Sequence, residues 1–261
     1  MLSPDQIAHF ETFGFLVLPQ LFSATEAAVI KAESEQIMAE ARAGRPLDED
    51  KWQAVQPFFE RRPFMSQLPA DDRIYSIGEG LFGPDFFMIG TEGNLHVGDT
   101  PWHGPSLPDT VNLPMVKIAF YVDALKKDTG CLRVIPGTHH GCDPDHFAIL
   151  RNRSNDPGFR PFGVAPAELP CVAIESQPGD VVVFTEHVLH ASFGGKPGRH
   201  QHAVGFMRNP RTDDETEFLI NMYKGLQFAL HPARSYINSD NPRLRRIVSP
   251  QVELGFEPSD V

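Results

Sequence analysis

The chain has 261 residues, 41% of them hydrophobic, with 34 acidic against 23 basic side chains and a formal net charge of −11. That length suits one domain with a sizeable core, and the acidic balance argues against nucleic acid or an anionic membrane as the main partner. Three cysteines without paired spacing (Cys131, Cys142, Cys171) read as reduced thiols. With no basic-then-apolar leader and no apolar run of about 18 residues, the expectation is a soluble, cytoplasmic protein.

In chain order, Ser3 caps a helix with Pro4 at its first position and Gln6 at the capping-box site. Ile7, Phe10 and Phe13 recur at helical spacing, and Gly14 supplies the stop. Phe15 to Leu18 reads as a short strand. Ser23 and Glu26 repeat the capping box for a helix reaching about Arg42, with Ala27, Ile30, Ile37, Met38 and Ala41 on its apolar stripe. Residues 45–70 read as irregular, and Asp71 to Phe82 as a helix.

From Phe86 the signals become short strands between Gly, Pro and Asp clusters: Phe86–Ile89, Val116–Val122, Leu132–Ile135, Cys171–Ile174, Val181–Phe184 and His202–Met207. Strands without intervening helical patterns favour an antiparallel barrel or jelly roll. Gly141 to Pro170 is a long polar, proline-containing loop of the kind that forms lids or disordered excursions. Asp213–Met222 and Asn241–Val248 look helical and peripheral. The expected organisation is a single domain over 1–261, with a helical buttress (1–85), a β core (86–210) and a helical extension (211–261). The expected fold class is mainly β with flanking helices.

Two histidines about ninety residues apart each adjoin a strand-like run: His103 in Gly98-Asp99-Thr100-Pro101-Trp102-His103, and His190 after Val181 to Phe184. Together they could supply two-thirds of a 2-His-1-carboxylate iron site, although any single histidine is more simply read as a hydrogen-bonded or surface residue. On a strand, residues i and i+2 share a face, so the carboxylate belongs two positions after His103. Pro105 stands there and has no donor atom. Asp99, Asp109 and Glu186 are the acids near enough in sequence to be considered, while Asp180, after Gly179, reads as turn chemistry.

Arg199 carries a fork that matches a carboxylate bidentately; the plain alternative is a surface arginine in a hairpin. Lys117 should share a strand face with Ala119 and Tyr121, opposite Ile118, Phe120 and Val122, and a buried lysine needs an anionic partner. Ser192, two residues after His190, either bonds a cosubstrate or caps a turn. His139-His140 reads as structural hydrogen bonding, His187 as facing away from His190, and Trp102 as packing behind His103. Phe58, Phe59, Phe64 and Phe206 are candidates to line a substrate pocket.

Four phrases then resemble the phytanoyl-CoA dioxygenase family, in matching order from about residue 3 to about residue 210. They are Phe10 to Pro19, Gly98 to His103, Asp128-Thr129-Gly130-Cys131-Leu132-Arg133-Val134-Ile135-Pro136-Gly137-Thr138-His139, and Gly179-Asp180 through His190-Ala191-Ser192 to Arg199. The resemblance implies a double-stranded β-helix (jelly-roll) enzyme using Fe(II) and 2-oxoglutarate. It places His103 and His190 on the metal histidines and Arg199 on the 2-oxoglutarate arginine; Lys117, Tyr121 and Ser192 are further candidates to hold 2-oxoglutarate. Pro105 departs from that family's acid.

The resulting expectation is a non-haem iron, 2-oxoglutarate-dependent dioxygenase with an incomplete triad, acting on a small organic substrate with dioxygen. Two alternatives share the fold: a halogenase using the open coordination position for chloride, and a non-catalytic binding or partner subunit. Substrate identity, third ligand and oligomeric state are not legible in the chain.

Overall fold

The first helix, α1 (Pro4–Phe13), begins and ends where its caps place it: Ser3 Oγ accepts from Gln6 N, and Gly14 adopts φ +81° as the left-handed stop. A second capping box, Ser23 with Glu26, opens α2 (Ala24–Ala41), and Asp71 caps α3 (Asp72–Phe82). In this computed structural model, residues 1–104, 113–140, 150, 158–225 and 231–261 are described. Pro105 and Asp109, and much of the Gly141–Pro170 loop, lie outside them.

Among the described residues, ten strands form two antiparallel sheets. They are β1 (Phe15–Leu18), β2 (Gln53–Val55), β3 (Phe86–His96), β4 (Thr100–His103), β5 (Met115–Phe120), β6 (Leu132–Ile135), β7 (Val172–Ile174), β8 (Val181–Thr185), β9 (Leu189–Ser192) and β10 (Arg199–Arg208). The six-stranded sheet runs β1-β8-β5-β10-β3-β2 and the four-stranded sheet β4-β9-β6-β7. This is a jelly roll with flanking helices.

The continuous apolar run of β8 has a structural cause. Val181 and Val183 join the core between the larger sheet and the helices, while Val182 and Phe184 join the core between the two sheets. A strand covered on both faces has no need of polar alternation. The same division sorts β5: Val116, Ile118 and Phe120 pack toward the helices, with Ile30, Ile37, Ile74 and Ile247, whereas Ala119 and Tyr121 face the second sheet.

The structure extends several expected elements. β3 does not end at Ile89 but runs to His96, because all of β10 pairs with it across a shift at Gly205/Phe206. β10 starts at Arg199, and Leu189–Ser192 is a strand in its own right. The N-terminal segment supplies β1 and β2, at the two edges of the larger sheet, as well as helices. C-terminal helices occupy Asp213–Gly225, Arg234–Ile237 and Pro242–Glu253, the last packing Leu244, Ile247 and Val248 into the core. Among the described residues, no helix is long and apolar enough to cross a membrane.

Candidate active site

His103 and His190 meet because β4 and β9 are paired with those two residues directly opposite. Their ring centroids lie 3.9 Å apart with the planes inclined at 55°. Each ring is held the same way: His103 Nδ1 is 2.8 Å from Pro101 O, and His190 Nδ1 is 2.8 Å from Val188 O. A carbonyl oxygen only accepts, so both Nδ1 atoms carry the proton, and both Nε2 atoms present a lone pair. This is the tautomer a metal requires, fixed by the ring's other nitrogen. Burial, reinforced by the neighbouring His103, holds the His190 pKa down to about 3. Desolvation by the cavity walls lowers that of His103 as well. Both imidazoles are therefore neutral at pH 7 and free to ligate.

The acids weighed from sequence are mostly committed elsewhere. Asp99 Oδ1 accepts from Gly194 N at 2.7 Å. Asp180 accepts from Gln20 N at 2.8 Å and from Gln177 N at 2.7 Å, which is the turn role expected of it. Among the described residues no set of three His, Cys, Asp or Glu side chains is arranged to hold a metal.

Arg199 opens β10 opposite His96 of β3. It is 9% exposed, its Nη2 donates to Ser192 Oγ at 2.8 Å, and its buried Nε has no partner among the described residues. No carboxylate forms an ion pair with it among those residues. A buried guanidinium in that condition is costly unless an anion completes it. Ser192 therefore braces the arginine rather than merely capping a turn. Tyr121 lies on the same inner face, and burial pushes its phenol pKa up, so it stays a protonated donor.

Lys117 faces this cavity with Ala119 and Tyr121, as the alternation of β5 requires. Its role differs from the expectation of a cation available to 2-oxoglutarate. Nζ lies 3.0 Å from Glu92 Oε1 and 2.9 Å from Glu186 Oε1. Burial alone would lower its pKa; the two carboxylates outweigh this and raise it. Burial would likewise raise Glu186, but Lys117 prevails and brings it down to about 2. A lysine flanked by two carboxylates has no charge left to offer an anion.

His103, His190, Arg199, Ser192, Tyr121 and Lys117 all line one cavity of about 420 Å³. Five further lining residues escaped the sequence reading of the site: Trp52, Glu92, Asn94, His96 and Gln201. They share a face of the larger sheet through strand pairings that span more than a hundred residues, such as Gln201 opposite Asn94. The four candidate phenylalanines do not line this cavity. Phe58, Phe59 and Phe206 are fully buried in the helix-side core, and Phe64 packs against it. Trp102 is buried behind His103 and donates to Pro166 O at 2.8 Å. His139 and His140 both bond Glu11 O, and His187 lines a different cavity.

The profile of the phytanoyl-CoA dioxygenase (PhyH) family matches residues 86–203, a span that includes His103, Lys117, Tyr121, His190, Ser192 and Arg199. The ectoine dioxygenase of Sphingopyxis alaskensis is 26% identical over 218 residues, covering 74% of this chain and 71% of its own. Among solved structures, the α-ketoglutarate-dependent carbocyclase SnoK from nogalamycin biosynthesis superposes with a TM-score of 0.61 at 19% identity, covering 82% of this chain and 88% of its own. HygX from Streptomyces hygroscopicus, solved with nickel and 2-oxoglutarate bound, gives 0.61 at 19% identity, with 81% and 89% covered. The chain thus matches the phytanoyl-CoA dioxygenase family over residues 86–203, is similar to ectoine dioxygenase over most of its length, and shares its fold with SnoK and HygX.

Proposed function

We propose that this protein is an Fe(II)/2-oxoglutarate-dependent oxygenase that oxidises a small organic substrate with dioxygen. The observation that carries the reading is the pair of identical Nδ1–carbonyl bonds, which leaves two facing Nε2 lone pairs in one cavity with a buried guanidinium that has no carboxylate partner among the described residues. The ectoine dioxygenase homology and the cofactors named for HygX support it.

His103 and His190 would hold the iron, which when bound supplies dioxygen activation coupled to decarboxylation of the keto acid. Arg199, braced by Ser192, receives the distal carboxylate of 2-oxoglutarate as a bidentate pair. Tyr121 stands near that guanidinium as a neutral donor, and Ala119, Leu132 and Phe184 wall the same cavity and exclude water. The non-catalytic alternative is disfavoured because a protein without a bound anion has little physical use for a buried arginine that no carboxylate meets among the described residues.

With Pro105 in the acid's place, we take the protein's contribution to the metal as two imidazoles, an arrangement that also admits a halide. Anaerobic addition of Fe(II) and 2-oxoglutarate tests the reading: a weak visible metal-to-ligand charge-transfer band should appear, and be lost in His103→Ala and His190→Ala. Absence of the band in the parent protein would sink it. A band position that moves with chloride favours halogenation over hydroxylation.

A further inference from the structure

One wall of the cavity is built from polar side chains held in one chain of hydrogen bonds. Trp52 Nε1 donates to Asn94 Oδ1 at 3.1 Å, Asn94 Nδ2 to Gln201 Oε1 at 2.6 Å, and Gln201 Nε2 to Glu92 Oε1 at 3.3 Å. Gln56 Nε2 adds a donor to Glu92 Oε2 at 3.2 Å. Chains of this kind fix side-chain orientation more firmly than any single member does.

At one end of the chain stands an indole that is 61% exposed. An exposed tryptophan is ordinarily free to move; this one is pinned by its N–H and by a parallel stack on His96, with centroids 5.9 Å apart and planes at 10°. Burial, with the Arg199 charge next, keeps the His96 pKa down at about 4, so the ring behind the indole is neutral. One face of Trp52 is therefore occupied without its quadrupole being satisfied by a cation.

At the other end the charges do not balance. Lys117 is shared between Glu92 and Glu186, which leaves one negative charge in excess. Glu92 and Asp99 line the cavity against Lys117 and Arg199, and Glu186, outside that lining but held on Lys117, brings the count to three carboxylates against two cations. Fe(II) and the 2-oxoglutarate dianion cancel each other, and the latter takes up Arg199. No cation among the described wall residues then remains for an anionic substrate.

From this juxtaposition, on one cavity wall, of a pinned, outward-facing indole with Glu92, whose ammonium partner is shared with Glu186 behind it, we propose that the substrate is a polar molecule bearing a positively charged nitrogen. The cation lies against Trp52 and Glu92, and its hydrogen-bonding groups meet Asn94 and Gln201. The reading rests on the cavity being the one that receives 2-oxoglutarate, and Trp52 lies outside the family-matched span.

Three probes of one shape and different charge test it: choline, its neutral carbon isostere 3,3-dimethylbutan-1-ol, and 3,3-dimethylbutanoate. Each is titrated by calorimetry into anaerobic protein loaded with Fe(II) and 2-oxoglutarate, with the visible band recorded on the same sample. Choline should bind about tenfold tighter than the alcohol, and the carboxylate weakest. Trp52→Leu, at an exposed position, and Glu92→Gln should each shrink that preference severalfold while the band persists. Equal binding of the three, preference for the carboxylate, or failure of all three to bind overturns the proposal, as does an unchanged preference in Trp52→Leu. Choline preference without a visible band leaves the cation site standing and removes the cosubstrate reading instead.

Discussion

Gly130 stands against the side chain of Arg199: its backbone lies at φ +91°, and a Cβ placed there would come 2.6 Å from the guanidinium Nε. Gly195 closes on the same atom, with a Cβ of its own falling 2.8 Å away. The arginine thus occupies a slot whose walls are main chain. The first glycine belongs to the Asp128-Thr129-Gly130-Cys131 phrase, so that phrase and Arg199 serve one function.

Gly130→Ala should displace the guanidinium and strain a left-handed residue, weakening 2-oxoglutarate binding by about tenfold and stability by roughly 1–2 kcal/mol. Arg199→Lys should weaken the cosubstrate without the backbone cost, since a point charge cannot reproduce the fork. Titration of the charge-transfer band measures both. Parent-like 2-oxoglutarate affinity in Arg199→Lys would remove the arginine from the cosubstrate site.

Buried neutral histidines set the pH dependence of the metal-free protein. His190 and His202 have their pKa values held down to about 3 by burial, against an ordinary 6.5. Between those values the unfolded chain binds protons that the folded chain refuses, so stability rises with pH up to about 6.5 and levels above it. Urea midpoints of metal-free protein should increase from pH 5 to pH 7, and His190→Phe should flatten the slope. A midpoint that is constant or falls over that range contradicts the assignment.

Lys117→Met strips the ammonium from between Glu92 and Glu186 and leaves two adjacent carboxylates with no counter-charge. The expected cost is about 3–5 kcal/mol. Adding Glu186→Gln should recover a substantial part of it, because the second substitution removes one of the stranded charges. A double-mutant cycle by denaturant unfolding reads the coupling; additive effects would mean that the three groups do not act as a unit.

Pro105→Asp restores a donor two residues after His103 and should tighten Fe(II) binding at least tenfold, as one charged ligand is gained. Asp99→Asn should leave iron affinity nearly unchanged, since Asp99 already serves Gly194 N. Glu186→Gln separates the remaining possibility. If it abolishes iron binding, Glu186 leaves Lys117 to ligate the metal, and the two-histidine description fails.

What the chain disclosed before folding was what neighbouring residues determine. Ser3, Pro4 and Gln6 fixed α1 to the residue, and the alternation around Lys117 assigned its face correctly. The His103–His190 pair was legible because each histidine lies in a recognisable phrase. The apolar run Phe86–Ile89 is all of β3 that the sequence shows, since polar and glycine residues follow it; pairing with β10 extends the strand to His96. The same limit hid Glu92, Asn94 and His96. Trp52 was counted among the irregular residues for a related reason: only β2–β3 pairing brings it to the cavity. Phe58, Phe59 and Phe206 misled in the opposite direction, since hydrophobicity alone does not say which side of a sheet a ring will occupy.

The two imidazoles are steered by the carbonyls of Pro101 and Val188, atoms that every amino acid possesses. No side-chain replacement at 101 or 188 deletes those acceptors. The wall that runs from Trp52 to Glu92 has the opposite character, since each of its links ends on a side chain that one codon change can remove. Mutation therefore meets a divided cavity, in which the steering of His103 and His190 is sheltered by the main chain and the polar wall is open to drift. A lineage could exchange one substrate for another here, a residue at a time, while the histidines kept their orientation throughout.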